Sequence, residues 1–171
     1  LRLGEDYLEG LSADMVLRTP GMYFYHPVLQ DLRRDGVIVT SEMELFFDLC
    51  PCKTIAVTGS DGKTTTTTLI AEMLKETGHR VHLGGNIGRP LMPLLADIRP
   101  NDYAVVELSS FQLISMRESP DIAVITNIAP NHLDVHKDME EYVNAKRNIL
   151  LHQHAFSRSV FGVDNALAAS L

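Results

Sequence analysis

The hydrophobic pattern of the chain alternates between short apolar runs and longer segments with helical periodicity. Several of the short runs are apolar nearly throughout, which suits strands of a parallel sheet that helices cover on both faces. The pattern therefore predicts a doubly wound, mostly parallel α/β fold. The predicted strands are 15–17, 37–39, 54–58, 81–83, 103–108, 122–126 and 159–163, and the predicted helices are 27–34, 42–48, 63–77, 91–96 and 138–151.

A proline-containing stretch at 49–53 interrupts the helical pattern directly before the strand 54–58. We place a domain boundary there, so that residues 1–49 end one domain and residues 50–171 form a second, incomplete one. The chain starts with leucine and stops in an alanine-rich stretch that looks helical. We therefore expect it to be a fragment of a longer protein.

Composition and charge narrow the function classes. The chain has 171 residues, 45% of them hydrophobic, and a net charge of −7, which argues against broad binding of nucleic acid or acidic membranes. No apolar run approaches the ~20 residues that a membrane span needs. Cys50 and Cys52 are too closely spaced for a C-x-x-C zinc motif, so we expect two reduced thiols in a soluble, intracellular protein.

The segment "TIAVTGSDGKTTTTTLIAEML" (54–74) reads as strand, glycine turn and helix, the context of a phosphate-binding loop. Lys63 would place a charge on the β and γ phosphates, and Thr64 a hydroxyl on a bound Mg²⁺. Val57 stands where the first glycine of G-x-x-x-x-G-K-[ST] would be, so a plain glycine turn with a solvated Lys63 is the alternative. The predicted apolar stripe of the helix is Leu69, Ile70, Met73 and Leu74.

Carboxylate and imidazole groups lie at the end of, or shortly after, two later predicted strands, 103–108 and 122–126. Glu107 ends the strand 103–108, where ligands collect in an open α/β sheet, and is a candidate Mg²⁺ ligand; a glutamate exposed to solvent is the alternative. His132, Asp134 and His136 follow the strand 122–126 at alternate positions. Their spacing fits a zinc site or ordinary turn chemistry, and spacing alone does not choose between them.

The helix 138–151 begins with a capping pattern, Asp138 and Glu141, and carries one charged residue, Lys146, on its apolar stripe. A lysine there can extend its ammonium group to water while its stem covers apolar surface. Held inside a site, it can instead have a lowered pKa and react as an amine. The apolar stripe is Met139, Tyr142, Val143, Ile149 and Leu150.

These residues resemble the ATP-dependent Mur ligases of bacterial peptidoglycan synthesis. The short loop "TGSDGKTTTT" is similar to that family's form, which accounts for Val57. The resemblance covers residues 53–150, and "TPGMYFYHPVL" (19–29) is similar to the end of the family's UDP-binding domain, with Thr19 and Met22 in place of more usual residues. The other matching blocks are "GGNIG" (84–88), "ELSSFQL" (107–113), "NHLDVH" (131–136) and "AKRNIL" (145–150).

The resemblance implies a role for each matching residue. Lys63, His132 and Lys146 would be catalytic, with Lys146 carbamylated by CO₂. Two Mg²⁺ ions would be held by Thr64, Glu107, His132 and the modified Lys146. The nucleotide-sugar substrate would contact Asn86, Ser109, Gln112 and, by a looser match, Gly4. ATP would bind Gly59, Ser60, Asp61, Gly62, Lys63, Thr64 and Thr65.

The activity that the resemblance implies is ADP-forming addition of D-glutamate to UDP-N-acetylmuramoyl-L-alanine through an acyl phosphate. We expect a cytoplasmic monomer in which residues 1–49 end the UDP-binding domain and residues 50–171 belong to the ATP-binding central domain. The sister Mur ligases and folylpolyglutamate synthase share the loop and the reaction, and "GGNIG" with "SSFQL" favours the D-glutamate-adding branch. A nucleotide switch that makes no product is a further alternative, disfavoured because the chain has no N-K-x-D guanine motif.

Overall fold

The computed structural model describes residue 4 and residues 7–130 and 135–171 of the chain. This part of the chain alternates strands with helices as the hydrophobic pattern predicts, and a 3₁₀ helix, Met92–Asp97, lies between the fourth and fifth strands. The elements are β1 (Met15–Arg18), α1 (Pro27–Arg34), β2 (Ile38–Ser41), α2 (Glu42–Leu49), β3 (Lys53–Thr58), α3 (Lys63–Glu76), β4 (Val81–Gly85), β5 (Tyr103–Glu107), α4 (Ser110–Leu113), β6 (Ile122–Ile125), α5 (Met139–Leu151), β7 (Arg158–Phe161) and α6 (Ala166–Ala169).

The main sheet has five parallel strands in the order β4-β5-β3-β6-β7. β3 lies at its centre, with Ala56 opposite Val106 of β5 and Ala123 of β6. Helix α3 lies against β3, β4 and β5, while α5 buries Tyr142 and Ile149 in the cluster that contains Ala56. The predicted doubly wound α/β fold is therefore confirmed.

The apolar stripe predicted for α3 is half right, because Ile70 and Leu74 are half-buried whereas Leu69 and Met73 are exposed. Leu69 and Met73 are 57% and 68% exposed, and the buried positions of the helix are Thr67 and Ala71. Small side chains let the helix axis approach the sheet closely, and the Thr67 hydroxyl donates to the Lys63 carbonyl at 2.7 Å, which satisfies it locally. The helical period predicted burial of large apolar residues, whereas the positions that pack most closely against the sheet hold small side chains.

A smaller parallel pair, β1 and β2, packs with α1 through Leu29, Leu32 and Val39. Helix α2 contributes Met43 and Phe46 to the large cluster of the main sheet, although it precedes the predicted boundary at residue 49. The division into residues 1–49 and 50–171 stays a prediction.

Two sequence expectations concern features outside the main sheet. Cys50 and Cys52 are free thiols, as predicted. Among the described helices, none combines the length and apolar character needed to cross a membrane.

Candidate active site at the phosphate loop

The turn between β3 and α3 needs glycine at two positions for different reasons. Gly59 has a φ of 152°, and a Cβ there would lie 1.9 Å from Thr126 Oγ1, so a larger residue cannot fit without displacing its neighbour. Gly62 caps α3 with a φ of 75° and has open space where a Cβ would stand. Gly59 is therefore required by close contact and Gly62 by backbone conformation.

Residues that follow β6 hold this turn in place. The amides of Ser60 and Asp61 donate to the carbonyl and the side-chain oxygen of Asn127, at 2.9 and 3.0 Å. Thr126 Oγ1 donates to the Asp61 carbonyl at 2.6 Å. Because these two loop amides are already bonded, the donors left for a phosphate are those at the start of α3.

The first turn of α3 supplies those donors. Its first intrahelical hydrogen bond runs from the Thr66 amide to the Gly62 carbonyl at 3.0 Å, so the amides of Lys63, Thr64 and Thr65 begin the helix without an intrahelical partner. The helix dipole favours an anion at the same place. Lys63 Nζ donates to the carbonyls of Gly59 and Ser60, at 3.0 and 2.9 Å, and so lies over the loop.

Glu107 joins the loop to the end of β4. Its Oε2 accepts from Thr64 Oγ1 at 2.7 Å and its Oε1 from Asn86 Nδ2 at 2.8 Å. The residue is 1% exposed, so the interpretation as a solvent-exposed glutamate is wrong. A carboxylate beside a hydroxyl at the start of a phosphate-binding helix is the oxygen donor set that suits Mg²⁺.

The glycines of "GGNIG" bring Asn86 to this carboxylate. A Cβ on Gly85 would lie 2.2 Å from the Glu107 carbonyl, and the Asn86 amide donates to that carbonyl at 2.8 Å. Glycine thus allows β4 to run close to the end of β5. The motif acts through backbone proximity, which fixes where the Asn86 side chain lies.

Lys146 is buried rather than extended to solvent. It is 1% exposed, and its Nζ donates to the Gly59 carbonyl at 2.8 Å and to Thr58 Oγ1 at 3.3 Å. The ammonium group also lies 4.8 Å from the centre of the Tyr142 ring. Burial, followed by repulsion from Lys63, lowers the pKa of Lys146 from 10.5 to about 7. The side chain is therefore buried and does not cover surface with its charge in water, and burial favours its neutral form.

A cavity of about 160 Å³ brings five of the predicted site residues together. Its walls come from the loop, the end of β4, the start of α4 and one face of α5. The lining residues are Gly59, Lys63, Asn86, Ser109, Ser110, Phe111, Tyr142 and Lys146.

Other predicted site residues are not among those that line the cavity. Gln112 Oε1 accepts from the amide and hydroxyl of Ser109 in a capping box at the start of α4, so its side chain is used locally. Gly4 has a φ of 99°, and a Cβ at this position would have no described atom within 4 Å. His132 and Asp134 lie outside the described residues. The roles assigned to these four, like those of the other predicted site residues, stay predictions.

Sequence reasoning missed two contributors to the site. The helical pattern indicates only a core position for Tyr142, yet its hydroxyl lies 2.9 Å from Ser60 Oγ. Asn127 was not predicted, although it follows β6 at the edge of the sheet where Glu107 ends β5. The signal that could have found Asn127 is the one that identified Glu107, a polar residue at the carboxyl end of a parallel strand.

Comparison with known proteins identifies the family. The model of the Mur ligase middle domain matches residues 57–171. The chain belongs to the Mur ligase family. The resemblance inferred from the sequence blocks is therefore confirmed, and every residue that lines the cavity lies within the matched range.

Curated relatives of this Mur ligase chain are named UDP-N-acetylmuramoylalanine–D-glutamate ligase. The protein of Acetivibrio thermocellus is 57% identical over 95% of this chain and 35% of its own length. That of Clostridium tetani is 51% identical over 99% of this chain and 37% of its own length. The Mur ligase chain thus spans little more than a third of the relatives it matches.

A solved structure shares the fold of this Mur ligase chain. The UDP-N-acetylmuramate–alanine ligase MurC of Thermotoga maritima superposes with a TM-score of 0.57 and 24% identity, over 92% of this chain and 37% of its own. At this identity the likeness shows the fold alone.

Proposed function

We propose that this chain belongs to an ADP-forming ligase that joins D-glutamate to UDP-N-acetylmuramoyl-L-alanine at the expense of ATP. The observation that carries the proposal is the cavity lined by Lys63 and Lys146, whose lining residue Asn86 donates to the buried Glu107 carboxylate. The names of the relatives support the choice of substrates. A phosphate-binding turn with a lysine, and a buried carboxylate beside a hydroxyl, are parts that recur in sites of phosphoryl transfer.

ATP would bind with its β and γ phosphates at the start of α3. The amides of Lys63, Thr64 and Thr65 face that position, and the Lys63 ammonium group can turn from the loop carbonyls to the phosphate oxygens. Charge spreads over those oxygens during transfer, so Lys63 acts by position and charge. Gly59, Ser60, Asp61 and Gly62 support this arrangement by fixing the loop.

Two Mg²⁺ ions complete the proposed site. Thr64 and Glu107 would hold one of them, since their oxygens are already 2.7 Å apart. His132 and a carbamylated Lys146 would hold the other. The ions would neutralise phosphate charge.

The surroundings of Lys146 support its carbamylation. At a pKa of about 7, a large share of the amine is neutral at physiological pH and can attack CO₂, forming a nitrogen–carbon bond with loss of one proton. The product carries a negative charge beside Lys63, so repulsion between two cations becomes attraction. Its oxygens also supply the hard ligands that a histidine alone does not offer to Mg²⁺.

The reaction has two steps. The alanine carboxylate of the nucleotide-sugar attacks the γ phosphorus of ATP, which releases ADP and forms an acyl phosphate. The amine of D-glutamate then attacks the acyl carbon, and phosphate leaves. Asn86 and Ser109, which line the cavity, would orient the acid substrate, with Gln112 and Gly4 contributing through the α4 cap and the N-terminal segment.

The test is phosphate release by the full-length protein, supplied with ATP, Mg²⁺ and one acid and acceptor pair at a time. We expect release only with UDP-N-acetylmuramoyl-L-alanine and D-glutamate. Release with another Mur substrate pair, or with a folate and L-glutamate, would assign the protein to a sister ligase or to folylpolyglutamate synthase. Thermal stabilisation by GTP instead of ATP, without product, would indicate a nucleotide switch.

We further propose a monomer that acts in the cytoplasm, where ATP and nucleotide-sugars are available. Its partners are these small molecules, with no nucleic acid. Light scattering during gel filtration of the full-length protein tests the oligomeric state, since a dimer would give twice the molar mass of the monomer.

A further inference from the structure

His136 lies directly behind one wall of the cavity. Its side chain is 1% exposed, and both ring nitrogens have partners: Nδ1 lies 3.0 Å from Glu141 Oε1 and Nε2 lies 2.8 Å from Ser110 Oγ. Ser110 lines the cavity, whereas His136 does not. The histidine therefore acts on the cavity only through residues that line it.

Glu141 determines how this histidine is oriented. Its carboxylate accepts the Tyr23 hydroxyl on Oε2 at 2.9 Å and the Lys137 amide on Oε1 at 3.3 Å, in addition to His136. A carboxylate that faces several donors is an acceptor, so Nδ1 carries a proton and donates it to Glu141. In the tautomer with this single proton Nε2 is an acceptor, and the Ser110 hydroxyl donates to it.

The ring faces of His136 make a second set of contacts with the same wall. Phe111 stacks on the imidazole with centroids 5.0 Å apart and planes inclined by 4°. Tyr142 approaches edge-on at 5.4 Å. Ser110, Phe111 and Tyr142 all line the cavity, so one buried ring contacts three of its lining residues.

We propose that His136, oriented by Glu141, is a positioning residue that fixes the α4 wall of the cavity and directs the Ser110 hydroxyl. Because the Ser110 proton points at Nε2, its oxygen offers the cavity lone pairs. This arrangement selects a donor on the acid substrate, such as an amide N–H, over a carboxylate oxygen. The inference rests on the proposed function, since it concerns how that site seats its acid substrate.

The same wall is also tied to the N-terminal part of the chain. Tyr23 reaches the Glu141 carboxylate, and Arg18 Nη2 donates to the Phe111 carbonyl at 2.8 Å. A shift of the segment 18–23 would therefore also shift α4. Tyr23→Phe should weaken the effect of Glu141 on His136 without removing it.

The kinetic test compares His136→Phe with wild type in the full-length protein. Phenylalanine keeps an aromatic ring against Phe111 but removes both hydrogen bonds. We expect kcat/KM for the acid substrate to fall about 10- to 100-fold while KM for ATP stays within about twofold, since one misdirected contact in a site costs this much. His154→Phe, the same change at an exposed histidine, is the matched control.

Ser110→Ala should reproduce the loss, and the double variant should be no worse than either single variant, because both act through one hydrogen bond. Additive losses, or a lowered melting temperature with unchanged kinetic constants, would overturn the positioning role. Loss of ATP binding in His136→Phe would do the same. If wild type used a different acid substrate, the proposed function would fail while this comparison could still be made with that substrate.

A second measurement does not depend on activity. ¹⁵N spectra of histidine-labelled full-length protein distinguish a protonated from an unprotonated ring nitrogen. We expect His136 to carry its proton on Nδ1 in wild type and to lose that preference in Glu141→Gln. A proton on Nε2 of the neutral ring in wild type would refute the proposed orientation of Ser110.

Discussion

Two lysines from distant parts of the chain donate to the same carbonyl oxygen, that of Gly59. Lys63 reaches it from the first residue of α3 at 3.0 Å, and Lys146 from the middle of α5 at 2.8 Å. Lys63 is partly exposed, whereas Lys146 is 1% exposed. The same functional group is thus presented to one cavity in two different environments.

The difference in burial between Lys63 and Lys146 gives the two side chains different chemical properties. The second partner of Lys63 is another carbonyl, that of Ser60, at the edge of the cavity. Lys146 is surrounded by a neutral hydroxyl and an aromatic ring, and in the described part of the chain no carboxylate forms an ion pair with it. Burial and the neighbouring charge therefore lower its pKa to about 7. Lys63 is suited to act as a cation, and Lys146 as an amine.

The largest expected effect is on Lys63. Lys63→Ala in the full-length protein should lower the rate of phosphate release about 1,000-fold or more, because it removes a charge that stabilises the transferred phosphoryl group. Melting temperature should change little, since the ammonium group bonds only to loop carbonyls. Lys53→Ala, an exposed lysine at the other end of β3, is the control. Normal turnover in Lys63→Ala would refute the phosphate-loop assignment.

Lys146→Ala should lower the rate of phosphate release about 100-fold. Unlike Lys63→Ala, this variant should recover part of its rate when acetate or formate is added. A small carboxylate can occupy the space of the missing carbamate and supply its oxygens. Lys146→Arg should show no recovery, because the guanidinium group fills that space and stays charged. Full activity in the alanine variant would contradict the carbamate, and so would recovery of Lys63→Ala by the same acids.

Glu107→Gln tests the buried carboxylate that bonds to Thr64 and to Asn86. The amide keeps the size of the side chain but is a weaker ligand, so the Mg²⁺ concentration for half-maximal rate should rise about tenfold. A Mg²⁺ titration of phosphate release measures this shift. Glu72→Gln, a change at an exposed glutamate of α3, is the control. An unchanged midpoint of the Mg²⁺ titration in Glu107→Gln would exclude Glu107 as a ligand.

The smallest effect is on stability. Between the lowered pKa of about 7 and the ordinary value of 10.5, the unfolded chain binds a proton at Lys146 that the folded chain does not. The free energy of unfolding should therefore rise with pH in wild type relative to Lys146→Met, by about 1 kcal/mol per pH unit between about pH 7 and 9. Below about pH 7 the penalty is complete and the difference should level off. Urea unfolding of both proteins in CO₂-free buffer, repeated across this pH range, measures the difference. If the free energies of unfolding of the two proteins changed in parallel with pH, burial would not lower the pKa of Lys146.

Local chemistry explains what could be predicted from the sequence. The Asp138 side chain caps α5 by accepting from the Glu141 amide at 2.8 Å, as the capping pattern predicted, because both partners lie in one turn of the chain. The phosphate loop was found for the same reason: its strand, glycines and helix are contiguous. Glu107 was selected by its place at the end of a strand.

Predictions that depended on contacts between elements were less complete. Thr67 and Ala71 replaced Leu69 and Met73 on the buried face of α3, since periodicity gives no information on how closely a helix approaches a sheet. The two interpretations of Lys146 were equally compatible with its position on an apolar stripe. The packing of α5 beside the loop excludes a side chain extended to water, and the role of Lys146 as a reactive amine stays a prediction.

The sequence by itself determined the parallel α/β fold, the phosphate loop and the family, because these depend on short contiguous patterns. The tertiary structure decided which groups share a cavity: Lys63 with Lys146 on one carbonyl, Asn127 against the loop amides, and His136 behind Ser110. Burial, pKa and hydrogen-bond direction arise from neighbours that are far apart along the chain. They become definite only when the strands and helices have come together.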